Sequence, residues 1–368
     1  MKNHNTIKKF FALAAAAAMT LTLCACNGGS VPNPDGPNVT AQSQSGQSQA
    51  PGDAAQQPGG DGAQQPSGDA TYKVAIIKLT DHPSLDEIAA AVEGELKQLA
   101  ADNGVTIQYT TTSGQGEQTT LKQLADQAIA DQADVIIPIA TAAAQIAAAS
   151  AEDTKTPVVF ATVSDPEGAG LTGLDYVTGT SDALNTSFIL DMMLAQNPDV
   201  KKVGLLYSLS EANSAKPIDE AKAYLDGKGI AYTEQTANTN DEVIAAASAL
   251  IAEGVDAVFT PTDNIIALAE LAIYEDLIKA GIPHYTGADS FVRNGAFATC
   301  GVNYTDVGRR TAGLAYQVVT QGMNGVEDFY LMDGGIITVN TETAAAMNLD
   351  YSVFSGMGSV VEVQTTAD

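Results

Sequence analysis

The segment from Asp256 to Asn264 constrains the fold of this chain more than any other, because a buried strand and a helix meet within it. The apolar run that follows Asp256 is typical of a strand buried in a parallel sheet, and it ends at Pro261. Thr262, Asp263 and Asn264 all favour the N-cap of a helix, and a helical pattern follows them. The segment therefore predicts a strand carboxyl end beside a helix N-terminus, where open α/β sheets bind small ligands.

The same arrangement recurs at two other places in the sequence. Ile137-Pro-Ile-Ala-Thr141 and Leu206-Tyr-Ser-Leu-Ser-Glu-Ala-Asn-Ser214 each join an apolar strand to a helix through small polar residues. The carboxyl ends of parallel strands lie at one edge of a sheet, so we expect these segments to converge. The pattern indicates a binding protein built around a cleft.

Strands alternate with helices twice along the chain, in two series with the same element order. The first series has predicted strands at 73–79, 105–110, 134–139 and 157–160, and the second at 202–207, 230–235, 257–260, 283–286 and 296–302. Such alternation predicts an α/β fold with two Rossmann-like lobes, parallel sheets and a ligand cleft between them, joined by crossovers near Ala183 and Tyr304. We expect residues 71–183 and about 305–326 in the first lobe, and 184–304 and about 327–368 in the second.

The N-terminal region has the pattern of a secretory signal. Three lysines precede an apolar run from Phe10 to Leu23, which is too short to span a bilayer as a helix. Leu23-Cys-Ala-Cys26 is typical of a bacterial lipobox, so we predict a signal peptide over residues 1–25 and lipid on Cys26. Residues 26–70 are rich in Gln, Gly, Ser and Pro and predict a flexible tether, which suits the surface of a Gram-positive cell.

Composition narrows the class of function. The sequence has 44 acidic and 17 basic residues and a net charge of −27, which disfavours nucleic-acid binding. Cys300 alone remains once Cys24 and Cys26 are assigned to the signal and the lipid, so no disulfide is expected in the folded part. The sequence has no phosphate loop, no Gly-x-Ser-x-Gly elbow and no zinc-ligand spacing. We therefore expect neither an enzyme nor a cofactor or metal.

Several motifs, in their order and spacing, carry a resemblance to a known family. They are Asp81-His-Pro-Ser-Leu-Asp86, Ile139-Ala-Thr-Ala-Ala-Ala-Gln145, the run from Pro157 to Gly170, Leu206-Tyr-Ser, Ser210-Glu-Ala-Asn-Ser214, Pro261-Thr-Asp-Asn264 and Asp306-Val-Gly-Arg309. Over most of residues 73–345 the chain resembles the periplasmic-binding-protein-like substrate-binding proteins of ABC transporters, specifically the group with tryptophan- and tyrosine-binding lipoproteins. The resemblance implies a type I two-lobed protein that closes on a free amino acid and delivers it to a separate permease and ATPase.

A closed cleft must pair both charges of a free amino acid, because burying either charge alone is costly. Helix N-terminal N–H groups and hydroxyls would hold the carboxylate. The candidates are Thr141, Ala142 and Ser164 in the first lobe and Asn213 and Ser214 in the second.

The ammonium group would need a carboxylate, for which Asp289, Asp263 and Glu211 are the candidates. His82, in the loop after the first strand, would stack on an aromatic ligand or hydrogen-bond a phenol. Thr262 and Asn264 complete the predicted ligand-binding set. The alternative for each of these residues is N-capping, structural packing or a solvated loop charge.

Three functional hypotheses stay open at the level of sequence. The leading one is a monomeric, lipid-anchored receptor that delivers tryptophan, tyrosine or phenylalanine to an ABC importer. The second is a ligand-sensing or adhesive surface lipoprotein without a transporter. The third keeps the receptor but replaces the ligand with a sugar, a nucleoside or a peptide.

Overall fold

A computed structural model describes residues 70–366 of the chain. The predicted signal peptide, Cys26 and nearly all of the predicted tether lie outside this range. The first series of elements is β1 (Thr71–Lys78), α1 (Pro83–Asn103), β2 (Thr106–Ser113), α2 (Gln118–Ala130), β3 (Val135–Ile139), α3 (Thr141–Ala151), β4 (Val158–Phe160) and β5 (Val177–Ser181).

The second series runs from the helix after β5 to a strand near Cys300. It comprises α4 (Thr186–Gln196), β6 (Lys202–Tyr207), α5 (Ala212–Lys228), β7 (Ala231–Thr236), α6 (Asn240–Ala252), β8 (Ala257–Thr260), α7 (Asn264–Ala280), β9 (His284–Thr286), α8 (Asp289–Arg293) and β10 (Ala298–Gly301). The remainder of the chain forms α9 (Tyr304–Gln321), β11 (Tyr330–Leu331), β12 (Ile336–Asn340), α10 (Thr341–Met347), a 3₁₀ helix (Ser352–Gly356) and β13 (Ser359–Val363).

The strands form two sheets, one in each lobe. The first has six strands in the order β11-β5-β4-β3-β1-β2, and all its named pairs are parallel. The second has seven strands in the order β13-β12-β10-β9-β8-β6-β7, and β10 and β12 are antiparallel. The predicted α/β fold with two parallel sheets is confirmed. The antiparallel pair was not predicted, because β10 and β12 are separated in the sequence by α9 and β11 of the first lobe and no local pattern shows that they meet.

The chain passes between the two sheets at three places. These are the connections 182–185, 302–303 and 332–335. Strand β11 pairs with β5 through Tyr330 and Leu331, so the first sheet extends beyond residue 326. Helix α9 also returns to the first lobe, where it packs against α1.

Close packing of α9 on α1 depends on Gly308. A Cβ atom at this position would lie 2.6 Å from the Ala91 Cβ and 2.6 Å from the Ile88 carbonyl oxygen. Real side chains do not approach this closely, so only glycine allows this separation of the two helices. The helix that follows the second passage is thereby fixed to the first lobe.

Pro138 interrupts the hydrogen-bond ladder between β3 and β4. The Ile136 N–H donates to the Pro157 carbonyl, so every second residue of β3 faces β4, and Pro138 has no N–H to donate there. Ile136 pairs with Val158, and a separate bridge joins Ile139 to Ala161. The Ala161 N–H donates to the Pro138 carbonyl and the Ala140 N–H donates to the Ala161 carbonyl, so the two strands stay joined at the carboxyl ends that lead to the cavity.

A buried polar cluster attaches α7 to the second sheet. His284 Nδ1 lies 3.0 Å from Glu270 Oε1, and His284 Nε2 lies 2.8 Å from Thr260 Oγ1. All three residues are buried. The cluster fixes the start of α7 against the end of β8, which is the junction predicted from the segment 256–264.

Candidate ligand-binding site

A cavity lies between the two lobes at the carboxyl ends of both sheets. The crossover residues Asp182 and Tyr304 form part of its wall. The first lobe contributes His82, Ser84, Leu85, Ala140, Thr141, Thr162 and Ser164, and the second lobe contributes Asn213, Thr262, Asp263, Asn264, Ala267, Ala288, Ser290 and Phe291.

Unpaired polar atoms converge on this cavity. Seven buried side-chain polar atoms have no hydrogen-bond partner within the described residues, and five of the seven belong to residues that line the cavity. Buried polar atoms are nearly always hydrogen-bonded in folded proteins, so a cluster of unpaired ones needs an explanation. The five atoms are His82 Nδ1, Ser84 Oγ, Thr141 Oγ1, Thr162 Oγ1 and Ser290 Oγ. A polar ligand in the cavity would satisfy them.

The backbone is strained at two residues of the cavity wall. Ala140 has φ of 82° and Thr162 has φ of 55°, both in the left-handed region that disfavours side chains with a Cβ. Each follows a strand of the first sheet, β3 and β4 respectively. Strain of this kind costs of order 1–3 kcal/mol and persists mainly at ligand sites. At Ala140 it turns the chain into α3, whose first turn faces the cavity.

Thr141 and Ala142 are the first two residues of α3. Thr141 is buried and its hydroxyl is among the unpaired atoms, whereas the Ala142 side chain is partly exposed and does not line the cavity. N–H groups of the first helical turn have no partner inside the helix and carry the positive end of the helix dipole. This end of α3 has the chemistry to hold an anion.

Ser164 joins the first lobe to both the crossover and the second lobe. Its hydroxyl donates to Asp182 Oδ1 over 3.0 Å and lies 3.2 Å from Thr262 Oγ1. Asp182 is buried, and burial raises the pKa of its carboxyl, partly offset by the nearby hydroxyls of Thr162, Ser164 and Tyr304. The cavity thus holds a buried carboxylate that a cationic group would stabilise.

Asp263 faces the cavity, but its carboxylate is occupied by the second lobe. Oδ1 accepts from the N–H groups of Ile265 and Ile266, each over 3.1 Å, as the N-cap of α7. Oδ2 accepts from the Ser208 N–H and the Ser214 hydroxyl, each over 2.7 Å. Four hydrogen bonds use the acceptor capacity of the carboxylate. The structure places Ser214 behind Asp263 and outside the cavity lining.

Asn213 supports the loop that carries Thr262. Its Nδ2 donates to the Thr262 carbonyl over 2.6 Å, and both residues line the cavity. The two lobes therefore meet through a fixed loop, since Thr262 is the residue whose hydroxyl contacts Ser164. A further contact between the lobes joins Lys216 Nζ to Asp165 Oδ1 at 3.3 Å near the surface.

Glu211, Asn264 and His82 form a hydrogen-bonded chain across the cleft. Asn264 Nδ2 donates to Glu211 Oε2 over 2.7 Å, and Asn264 Oδ1 lies 2.9 Å from His82 Nε2. Glu211 does not line the cavity, and burial together with the charge of Asp263 raises its pKa to about 7. Burial lowers the pKa of His82, which favours its neutral form.

Asp289 lies at the start of α8 beside the cavity lining. Its Oδ2 accepts from Arg293 Nε over 3.0 Å, and burial raises the pKa of its carboxyl against the effect of that guanidinium. The neighbouring residues Ala288 and Ser290 line the cavity, and Asp289 does not. Its assignment as the ammonium partner stays a prediction.

Sequence reasoning did not select five polar residues that line the cavity: Ser84, Thr162, Asp182, Ser290 and Tyr304. A signal existed for Asp182, since it directly follows the apolar and small residues of β5 as a polar residue at a strand end. Thr162 lies two residues before Ser164 in a run already singled out. Ser290 had no local signal, because it reaches the cavity only through the short helix α8.

Two lobes of parallel α/β structure with a polar cavity at their junction define a type I periplasmic binding protein, and comparisons with known proteins agree. A family model described as "ABC transporter substrate binding protein" matches residues 73–352. The chain belongs to this family. A tyrosine-binding protein of Clostridioides difficile is 28% identical over 281 residues, which cover 75% of this chain and 81% of the relative.

Two solved structures extend the comparison. A crystal structure described as an ABC domain in complex with L-Trp, from Streptococcus pneumonia, is 27% identical, with a TM-score of 0.72, and the match covers 79% of this chain and 100% of the other. The ligand-free, open structure of a substrate-binding protein with adhesive properties, from Clostridium difficile, is also 27% identical, with a TM-score of 0.60 and coverage of 80% and 100%. At equal sequence identity, the TM-score is higher for the L-Trp complex than for the ligand-free, open structure. This agrees with the contacts from Ser164 to Thr262 and from His82 to Asn264, which join the two lobes of this protein.

The described residues contain neither a cluster of metal-ligating side chains nor a helix able to cross a membrane. Within residues 70–366 no group of His, Cys, Asp and Glu side chains is arranged to hold a metal ion. Over the same residues no helix is both long and apolar enough to span a membrane.

Proposed function

We propose that this protein is the extracytoplasmic receptor of an ABC importer and that it closes on a free aromatic amino acid. The observation that carries the proposal is the set of five unpaired buried polar atoms on a cavity between two lobes. Membership of the substrate-binding family and the ligands named for two similar proteins, tyrosine and L-Trp, support the choice of ligand class.

Both charges of an amino acid have partners in the cavity. The N-terminus of α3 with the Thr141 hydroxyl suits the carboxylate, and the buried carboxylate of Asp182 suits the ammonium group. Asp182 becomes our first candidate for the ammonium partner, ahead of the three carboxylates predicted from sequence. Asp263 already accepts four hydrogen bonds, and Asp289 and Glu211 do not line the cavity. The ligand would bind to both lobes and so stabilise the closed arrangement.

The N-terminal pattern completes the proposal. A lipid on Cys26 would anchor the receptor outside the cell membrane, and residues 27–69 would tether it within reach of a permease and its ATPase. A monomer suits a receptor that must dock and close.

Isothermal titration calorimetry of the purified protein tests this function directly. The panel consists of L-tyrosine, L-tryptophan, L-phenylalanine, L-leucine, ribose, arabinose and adenosine. We expect binding of at least one aromatic amino acid and a raised melting temperature in its presence. Binding of a sugar or nucleoside without any amino acid would contradict the ligand class and leave the receptor fold intact.

An adhesive or sensing role is the second candidate, favoured by one observation: a relative at 27% identity is described as having adhesive properties. Deletion of the encoding gene distinguishes the two roles. Loss of uptake of radiolabelled aromatic amino acid supports the importer role, and loss of surface attachment with normal uptake supports the second.

A further inference from the structure

The hydrogen-bonded chain across the cleft determines which nitrogen of His82 carries the proton. Above about pH 7 the Glu211 carboxyl is ionised and only accepts hydrogen bonds, so at pH 8 the group of Asn264 that faces it must be the amide NH2. The Asn264 oxygen then faces His82 Nε2 at 2.9 Å, and an amide oxygen cannot donate. His82 Nε2 therefore carries the hydrogen and donates it to Asn264.

This tautomer gives His82 Nδ1 a lone pair and no hydrogen. Burial favours the neutral imidazole, in which one nitrogen donates and the other accepts. Nδ1 is buried, has no partner among the described residues and belongs to a residue that lines the cavity. A ligand that closes the cleft must offer a donor there or leave this acceptor unpaired.

The charges of the cavity indicate which donor this is. An ammonium group is matched best by the buried carboxylate of Asp182, since an opposite charge offsets its desolvation. His82 Nδ1 is an uncharged acceptor and suits a neutral O–H or N–H. We propose that His82 Nδ1 accepts a hydrogen bond from the side chain of the ligand, a phenol O–H or an indole N–H, and that Glu211 and Asn264 set this polarity when the lobes close.

The inference rests on the proposed function and adds a rule of selectivity. L-Phenylalanine has an aromatic ring without a donor, so it would leave Nδ1 unpaired in the closed state. The cost of such an unpaired buried acceptor corresponds to roughly a 5- to 150-fold weaker affinity. We expect the better of L-tyrosine and L-tryptophan to bind more tightly than L-phenylalanine by this factor.

Calorimetry at pH 8 with these three amino acids on the wild type, His82→Leu and Ser290→Ala tests the rule. His82→Leu removes the acceptor, so the better of L-tyrosine and L-tryptophan should then bind no more than about threefold more tightly than L-phenylalanine. Ser290→Ala removes a different unpaired group and should leave the preference in place. A preference that survives His82→Leu or collapses in Ser290→Ala overturns the inference, whereas failure of all three amino acids to bind the wild type overturns the proposed function.

Nitrogen NMR of the full chain gives an independent readout that needs no folded variant. The sequence has three histidines, His4, His82 and His284, so the imidazole signals are few. With bound L-tyrosine or L-tryptophan at pH 8, where Glu211 is ionised, we expect His82 as the neutral Nε2–H tautomer, with its Nδ1 signal shifted by the new hydrogen bond. A bound state with the Nδ1–H tautomer or the imidazolium contradicts the inference and leaves amino-acid binding unaffected.

Discussion

The Ser164 hydroxyl donates a hydrogen bond to Asp182 Oδ1 over 3.0 Å, and the same hydroxyl lies 3.2 Å from Thr262 of the opposite lobe. One side chain thereby links a buried carboxylate at the crossover to the surface that closes over it. The charge of Asp182 is costly while the cavity holds no cation, and it becomes favourable when a cation enters. Stability without ligand and affinity for ligand should therefore change in opposite directions at this residue.

Asp182→Asn should separate the two effects. Without ligand we expect the free energy of unfolding at pH 7 to rise, because burial raises the pKa of the carboxyl and Asn carries no charge to desolvate. Affinity for the amino acid should fall by about 2–5 kcal/mol, as when one partner of a buried charge pair is removed. Urea unfolding measures the stability and calorimetry measures the affinity.

Asp175→Asn is the control and should change neither quantity, since the Asp175 side chain is 85% exposed. Equal affinities for the wild type and Asp182→Asn would show that the ammonium group binds elsewhere.

Gly308→Ala should destabilise the first lobe. The added methyl group would overlap the Ala91 side chain and the Ile88 carbonyl and force α9 away from α1, a strain of about 1–3 kcal/mol. Gly313→Ala in the same helix is a matched control, because a Cβ there has no atom within 4 Å. That control should stabilise the protein by up to about 1 kcal/mol. Chemical denaturation measures the free energy of unfolding of both variants. Equal changes in this free energy would refute the close packing of α9 on α1.

Stability should fall as the pH rises from 4.5 towards 8, and Glu211 should account for part of the fall. Burial and the charge of Asp263 raise its pKa to about 7, from 4.5, so between these values the folded state binds more protons than the unfolded state. Glu211 takes up the proton first, since Asp263 accepts four hydrogen bonds and Glu211 accepts from Asn264.

Glu211→Gln keeps an acceptor for Asn264 and removes the charge. We expect a gain of about 1–3 kcal/mol at pH 8 and almost none at pH 4.5, measured by urea unfolding across the pH range. Glu117→Gln, at an exposed residue, should leave the profile unchanged. An unaltered pH profile in Glu211→Gln would mean that other buried acids cause the dependence.

Lys216→Ala should weaken ligand binding slightly and in a salt-dependent manner. Its ion pair with Asp165 joins the lobes near the surface, where such pairs contribute about 0.2–1 kcal/mol. The difference in Kd from the wild type should disappear in about 0.5 M salt, because salt screens exposed charges. Lys279→Ala removes an ion pair within α7 alone and should not change Kd. An effect of Lys216→Ala that persists in salt would point to a packing role.

Local sequence patterns were sufficient for the elements that lead to the site. The strand before Pro261 and the helix after Asp263 appear as β8 and α7, and Asp263 caps that helix through the N–H groups of Ile265 and Ile266. These features depend on residues within four positions of one another, so periodicity and capping preferences predict them. The convergence of three strand ends also followed, because parallel sheets place their carboxyl ends together.

The tertiary structure alone decided which polar side chains hydrogen-bond to one another and which line the cavity. Thr262 and Ser164 are 98 positions apart in sequence, and Asn264 and His82 are 182 apart, so no local pattern indicates that they meet. Contacts between distant segments also satisfy Asp263, which accepts hydrogen bonds from Ser208 and Ser214 of the second lobe. Asp182, in contrast, lines the cavity at the crossover. The sequence determined where each strand ends and which residue caps the helix after it, since both depend on neighbouring residues. Which side chains are left to bind a ligand depends on hydrogen bonds that form only when distant segments pack together.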